Sequence, residues 1–208
     1  MAELNLELSK EEQKLDGFLT YLKELAASDP PQATLISNKG HLHASILLGA
    51  LLCHTEHSLK MYCTGLTPAI LHGDEGNEAN TGTAYWKVFQ DFFNKRVGQI
   101  DGQIEILIQS KKWENYPPFQ IVIASMLKYP QKIEVKVEND ESRNVVTKYW
   151  GKNESINFSI YDGKAYRLEY EPKLHIAIAS FNDEKMSKEL KGVFDDMFKV
   201  ADRYQQAH

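Results

Sequence analysis

The chain contains 208 residues with a mass of 23.8 kDa, of which 42% are apolar and 11% aromatic, and this composition excludes an intrinsically disordered chain. The formal net charge of −5 disfavours nucleic acid as a partner but leaves it open, because binding would need a local basic patch. No apolar run approaches the roughly 20 residues that span a bilayer, and the first residues lack the pattern of a secretion signal, so we expect a cytoplasmic protein without membrane contact.

The first two thirds of the chain alternate between helices and strands. A helix is predicted within residues 1–28, where Ser9 and Glu12 form a capping box. Residues 33–137 then follow a β-α order. The predicted strands lie near 33–37, 60–64, 104–108 and 133–137, and the predicted helices near 41–59, 85–93 and 119–127. This alternation is typical of a mainly parallel sheet.

The last third of the chain has a different pattern. Strands are predicted near 144–150, 156–161, 165–170 and 175–181, so that β-hairpins occupy 144–182. A final amphipathic helix is predicted within 183–206, with Asn182 as its cap. Together these elements predict one α/β domain over residues 1–208. We expect three layers, with helices on both faces of a mixed, mainly parallel sheet.

One hairpin carries the most informative pattern in the chain. Asn157 and Ser159 lie on its first strand, Asp162-Gly163 forms its turn, and Ser180-Phe181-Asn182 follows on a later strand, just before the last helix. This order resembles the signature region of the phospholipase D superfamily, where His-x-Lys-x4-Asp is followed by Gly-Ser-x-Asn. Asn157 stands where the family has His, Ser159 where it has Lys, and Ala179 replaces the Gly. The spacing from Asn157 to Asp162 is also shorter than the spacing from His to Asp in the family pattern.

The resemblance implies a degenerate phospholipase D-like protein. In the family, one His attacks phosphorus, a second His acts as general acid, and Lys side chains hold the phosphate, with two motif copies in one chain or across a dimer. Asn157 cannot attack phosphorus, and Ser159 has no positive charge. The resemblance therefore implies a non-catalytic, homodimeric domain that acts as an interaction or sensing subunit of a larger system, with no cofactor. A purely structural alternative is a β-turn at Asp162-Gly163 and a helix cap at Asn182.

A second candidate site lies where the first strand meets the second helix. Ser37, Lys39 and Gly40 precede His41 and His43 at this junction. Because ligands gather at the carboxyl ends of strands and at helix N-termini, these residues could bind a nucleotide phosphate or a small anion. They could also serve a phosphodiesterase or nuclease with relocated catalytic groups. The structural alternative is that Gly40 only permits the turn.

The remaining polar and aromatic features favour structural roles. His54 and His57, predicted on one helix face, could bind a metal with residues of the long loop 65–83, but no third ligand is fixed, so we predict no metal site. The loop candidates are His72, Asp74 and Glu75. Cys53 and Cys63 lack the spacing of a metal or redox pair and are expected to be buried thiols. The aromatic run comprises Tyr85, Trp86, Phe89, Phe92 and Phe93. Its helical spacing favours core packing over base stacking or a partner groove, except that Trp86 lies off the main stripe and suits an interface.

Overall fold

A computed structural model of the protein describes residues 4–28, 33–64, 82–151 and 156–205. Within these ranges the chain forms eight strands and six α-helices. The strands are β1 (Ile36–Asn38), β2 (Leu59–Cys63), β3 (Ile104–Ile108), β4 (Ile133–Val137), β5 (Asn157–Tyr161), β6 (Ala165–Glu171), β7 (Ile176–Ser180) and β8 (Asp202–Arg203). The helices are α1 (Asp16–Ala27), α2 (His41–Cys53), α3 (Ala84–Asp91), α4 (Pro117–Lys128), α5 (Asp140–Trp150) and α6 (Glu184–Val200).

All eight strands belong to one mixed sheet with the order β1-β7-β6-β5-β2-β3-β4-β8. The predicted α/β class with a mixed sheet is confirmed. The expectation that the sheet is mainly parallel is wrong, because only the β2–β3 and β3–β4 pairs are parallel and the other five adjacent pairs are antiparallel. The physical reason is that β5, β6 and β7 separate β1 from β2, so the β-α step through α2 does not create a neighbouring parallel pair.

Helices cover both faces of the sheet, because strand residues alternate between two hydrophobic cores. On one face, side chains such as Met61 and Ile106 pack against α1 to α4. On the other face, side chains such as Tyr62 and Phe158 pack against α5 and α6. The predicted core role of the aromatic run is confirmed for Tyr85, Phe89, Phe92 and Phe93, which are buried. None of the described helices is long and apolar enough to cross a bilayer.

The segment near 144–150, predicted as a strand, is instead part of helix α5. Asn139 and Ser142 form a reciprocal capping box, in which the Asn139 side chain accepts from the Ser142 N–H and the Ser142 hydroxyl accepts from the Asn139 N–H. Gly151 ends the helix in the left-handed conformation, with φ 63°. The β-branched Val146 favours a strand locally, but these caps and its packing against α6 determine a helix.

Three other helix ends also bear on the predictions. The capping box of Ser9 and Glu12 is confirmed, and a 3-10 turn at Glu12–Leu15 leads into α1. Helix α2 ends at Cys53 rather than near 59. The guanidinium of Arg96 donates to the carbonyl oxygens of Leu52 and Thr55 and so satisfies the end of α2. The expected cap of the last helix at Asn182 is wrong, because the Asp183 side chain accepts from the Met186 N–H and fills that role.

Candidate functional site

The five hairpin residues singled out by the sequence are spread along the strands: Asn157 lies at one end, Ser159 in the middle of β5, and the other three at the opposite end. Asn157 starts β5 beside the end of β2, whereas Asp162 follows the end of β5 beside the start of β2. Ser180 pairs with Tyr166, near the start of β6, and therefore lies at the same edge as Asp162. The motif residues consequently do not converge on one point.

Asp162 binds the connection between α2 and β2. Its carboxylate accepts the backbone N–H groups of Glu56, His57 and Ser58 at 3.0, 2.8 and 2.8 Å. Consecutive N–H groups of this kind form a concave anion-binding nest. Asp162 and Gly163 both have positive φ, 53° and 69°, as expected for a tight hairpin turn. The acidic position of the motif thus holds a loop of the protein itself.

Ser159 and Ser180 are both buried, with 5% and 1% exposure. The Ser159 hydroxyl donates to the Tyr161 hydroxyl oxygen at 2.8 Å. Burial raises the pKa of Tyr161 to about 12, although the Ser159 hydrogen bond and a neighbouring charge oppose this, so Tyr161 stays protonated at neutral pH. The Ser180 hydroxyl accepts from the Asn182 N–H at 3.3 Å. These hydroxyls are therefore engaged inside the protein.

Asn157 belongs to a different set of contacts, at the carboxyl end of β2. Its Oδ1 accepts from the Thr64 N–H at 2.9 Å and from the Thr64 hydroxyl at 3.0 Å. Because the N–H group can only donate, the acceptor oxygen of Asn157 must face Thr64. The Nδ2 group then points to Glu169 and donates to its Oε2 at 2.6 Å.

Glu169 is the centre of this polar cluster and is only 2% exposed. Its Oε1 accepts from Arg167 at 2.9 Å and lies 3.3 Å from Nδ1 of His175. Burial would raise the pKa of Glu169, but the hydrogen bonds that it accepts, led by that of His175, and the charge of Arg167 outweigh burial and lower the pKa to about 2. Glu169 is therefore a carboxylate at neutral pH.

The same cluster reaches the strand-to-helix junction that formed the second candidate site. Arg167 Nε donates to Asn38 Oδ1 at 3.4 Å, and Asn38 Nδ2 donates to the His175 carbonyl oxygen at 2.9 Å. The Gly40 N–H donates to the Leu174 carbonyl oxygen at 3.2 Å. The two sites that the sequence suggested separately, around Asn157 and around Gly40, are therefore joined by one hydrogen-bonded network. We call Asn38, Asn157, Arg167, Glu169 and His175 the Glu169 network.

The residues of the 37–43 segment differ in their surroundings. Ser37 and Lys39 are exposed, and Gly40 has φ 84° at the start of α2. The His43 ring packs edge-on against Phe18, with 4.9 Å between ring centroids. His41 is half-buried, and its Nε2 has no hydrogen-bond partner among the described residues. Within this segment, Asn38 and Gly40 both hydrogen-bond to the connection that carries His175.

Two backbone irregularities occur at residues of the Glu169 network. His175 adopts the left-handed conformation, with φ 50°, which is uncommon for a residue other than glycine. A β-bulge interrupts the pairing of β6 and β7 between Glu169 and Glu171. Bulges of this kind redirect side chains and are frequent near functional sites. Here the bulge follows Glu169, and the left-handed residue is His175, whose side chain contacts Glu169.

Sequence reasoning missed Arg167, Glu169 and His175 as site residues. The alternation of β6, with charged Arg167 and Glu169 between Tyr166, Leu168 and Tyr170, is typical of an antiparallel strand with one solvated face. In the structure that face is covered on the α2 side, and both charges are buried. The signal that could have revealed them is a pair of opposite charges two residues apart in a strand that the topology makes internal.

The described residues contain no group of three or more His, Cys, Asp or Glu side chains placed to hold a metal ion. The prediction that His54 and His57 share one helix face is wrong, because α2 ends before both: His54 is its C-cap and His57 lies in the connection to β2. The loop candidates His72, Asp74 and Glu75 lie outside the described residues. Cys53 and Cys63 are free and partly buried thiols, and burial raises the pKa of Cys53.

Comparison with solved structures identifies the fold. The structure is similar to TrmBL2, described as an archaeal chromatin protein with a novel mode of DNA binding, with a TM-score of 0.52 and 12% identity over 93% of this chain and 63% of that one. It is also similar to Nuc from Salmonella typhimurium, a phospholipase D family member, with a TM-score of 0.52 and 10% identity over 83% of this chain and all of Nuc. NucT from Helicobacter pylori aligns with a TM-score of 0.47 and 12% identity over 82% of this chain and all of NucT.

These comparisons confirm a phospholipase D-like α/β fold. No family model matches the chain, and no curated protein matches it by sequence. The chain spans 63% of the length of the archaeal protein. At identities of 10% and 12% the likeness concerns the fold alone, and the fold does not determine an activity, which depends on the side chains of the site.

Proposed function

We propose that this protein is a non-catalytic phospholipase D-like domain that acts as an interaction or sensing subunit. The observation that carries the proposal is the carboxylate of Glu169, which occupies the donors of Asn157, Arg167 and His175. Phosphodiester transfer needs N–H donors and cations that face the substrate phosphate and stabilise charge in the transition state. Here those groups face a side chain of the protein.

The energetics of the buried ion pair support this proposal. Arg167 and Glu169 are 4% and 2% exposed, so the charge of Arg167 is neutralised within the protein. Withdrawing one partner from a buried pair costs roughly 3–5 kcal/mol, because the other charge stays buried. A substrate phosphate would have to supply this energy before it gained any contact with Arg167. The amide of Asn157 also offers no nucleophile.

A second candidate function is a hydrolase with relocated catalytic groups, and His175 is the observation that favours it. An ionised Glu169 can only accept a hydrogen bond, so a neutral His175 carries its proton on Nδ1 and has a lone pair on Nε2. A carboxylate that orients an imidazole in this way is also found in catalytic triads. The side chain of His175 is 23% exposed.

For the interaction role, exposed side chains surround the Glu169 network. Tyr170 and Leu174 are 43% and 54% exposed, Lys173 is exposed next to Leu174, and Lys39 is exposed between Asn38 and Gly40. The fold also occurs in a chromatin protein described as binding DNA, so a binding role is compatible with it. The net charge of −5 makes a protein the preferred partner, and a second copy of this chain is the first one to test by sedimentation velocity.

Hydrolysis of bis(4-nitrophenyl) phosphate tests the non-catalytic proposal. We expect the wild-type protein to release no nitrophenol above buffer, and the same result for His175→Ala. The matched control is His57→Ala, which changes an exposed histidine at the opposite edge of the sheet. Turnover by the wild type that disappears in His175→Ala but persists in His57→Ala would overturn the proposal in favour of the hydrolase.

A further inference from the structure

We infer that Asn157, Arg167 and His175 form a carboxylate-binding site that the protein fills with its own Glu169 side chain. This inference rests on the proposed function, because it assigns the donors to an internal anion rather than to a substrate. Its new content is a ligand class: the site binds a small free monocarboxylate once the Glu169 side chain is shortened.

The arrangement of donors fits one planar carboxylate. One oxygen of Glu169 accepts from Asn157 at 2.6 Å, and the other accepts from Arg167 at 2.9 Å and contacts His175 at 3.3 Å. Each oxygen therefore has at least one donor within hydrogen-bonding distance. Hydrogen bonds in which the acceptor is an ionised carboxylate are about twice as strong as those between neutral groups.

The donors are held in place by contacts that do not involve Glu169. Thr64 fixes the amide of Asn157 through its N–H and its hydroxyl. Asn38 accepts from Arg167 Nε and donates to the His175 carbonyl oxygen. Asn38 is itself only 3% exposed. When Glu169 is removed, the side chains of Asn157 and Arg167 and the backbone of His175 therefore keep these supporting contacts, which pre-organise the site.

The buried charge of Arg167 would then favour the binding of an anion. Without Glu169, the guanidinium of Arg167 would be a buried cation without its counter-charge. Buried charges are tolerated only when they are paired. Arg167 cannot respond by losing its proton, because a guanidinium does not deprotonate in proteins. A free anion that reaches the site restores the pair.

The size of the anion follows from the covalent structure of glutamate. Glu169→Ala removes a methylene carbon, the carboxyl carbon and two oxygens, which are the heavy atoms of acetate. The His175 side chain, which contacts the Glu169 carboxylate, is itself 23% exposed, so the network reaches the surface at this residue. Formate would lack one carbon, and propionate would have one too many for the same volume. We therefore expect acetate to bind best of the three.

Thermal unfolding of Glu169→Ala in sodium acetate tests the inference. Sodium chloride at the same ionic strength is the salt control, and Glu171→Ala, which changes an exposed glutamate of the same strand, is the matched protein control. We expect Glu169→Ala to gain about 3 to 5 °C in Tm at ten times the Kd of acetate, with saturation. Wild type and Glu171→Ala should show no acetate-specific gain, and adding Arg167→Met to Glu169→Ala should abolish it.

Several outcomes would overturn the inference. One is an acetate response of Glu169→Ala equal to that of Glu171→Ala, and another is a larger gain with inorganic phosphate than with acetate. If Glu169→Ala is unfolded in chloride, it is refolded from urea in each salt: folding in acetate alone supports the inference, and folding in neither salt refutes it. This result can be told apart from failure of the proposed function, which would appear as phosphodiester hydrolysis by the wild type that is lost in His175→Ala and kept in His57→Ala.

Discussion

The clearest prediction concerns Asp162, whose carboxylate occupies three backbone N–H groups of the α2–β2 connection. Asp162→Asn is the appropriate change, because Asn also tolerates the positive φ of 53° and leaves the turn intact. The amide has one acceptor oxygen where the carboxylate has two, and its NH2 group cannot accept from an N–H. At least one of the three hydrogen bonds must therefore be lost.

The magnitude follows from the number and exposure of these bonds. Hydrogen bonds to charged groups contribute about 1.5–3 kcal/mol each when buried, and two of the three here are exposed, so their contribution is lower. We expect Asp162→Asn to lower the free energy of unfolding by about 1–2 kcal/mol, or the Tm by about 2–8 °C for a chain of this length. Urea titration followed by circular dichroism measures the change.

The control is Asp101→Asn, which removes a carboxylate with 85% exposure near His57 at the same edge of the sheet. We expect that variant to change stability by less than about 0.5 kcal/mol. Equal stability of Asp162→Asn and Asp101→Asn would refute the structural role of Asp162. The turn carboxylate would then be a candidate functional group.

Three further predictions concern other parts of the molecule. Glu12→Gln should lower the free energy of unfolding, measured by urea titration, by about 2–3 kcal/mol, because the fully buried Glu12 carboxylate accepts from the Ala84 N–H at the start of α3. The control is Glu11→Gln, which changes an exposed glutamate and should have little effect. Burial, with the charges of Arg96 and Lys164, lowers the pKa of His54 in the folded protein. The unfolded chain therefore binds the proton first, and the Tm should fall as the pH drops below the ordinary histidine pKa of about 6.5. His54→Gln should flatten that fall. Leu174→Glu should leave the Tm unchanged but lower any self-association seen by sedimentation velocity.

Much of the fold could be predicted from sequence because the relevant signals are local. The strands near 104–108 and 133–137 and the capping box at Ser9 agree with the structure to the residue. The order of the sheet could not be predicted in this way. It depends on the pairing of β1 with β7, between residues such as Ile36 and Ala179 that are far apart in the chain and joined only by the fold.

The candidate site was less predictable than the fold. The motif comparison directed attention to Asn157, and the strand-to-helix junction to Gly40, yet nothing in the sequence joined them. The link runs through Arg167 and Glu169, and its geometry depends on a β-bulge and on the left-handed backbone of His175. These are responses of the backbone to tertiary packing, and a histidine with positive φ has no distinctive sequence signal.

The buried ion pair of Arg167 and Glu169 limits the electrostatic field at this end of the strands. Arg167 and Glu169 neutralise each other below the surface, so they contribute little field to an approaching partner. In the proposed interaction role, specificity would come from the exposed side chains of the two loops that the network joins, of which Lys39 and Leu174 are examples. Buried ion pairs of this type are weak evidence for stability but can fix one arrangement among alternatives. The network therefore holds the 37–43 segment and the 172–175 connection in a fixed relation.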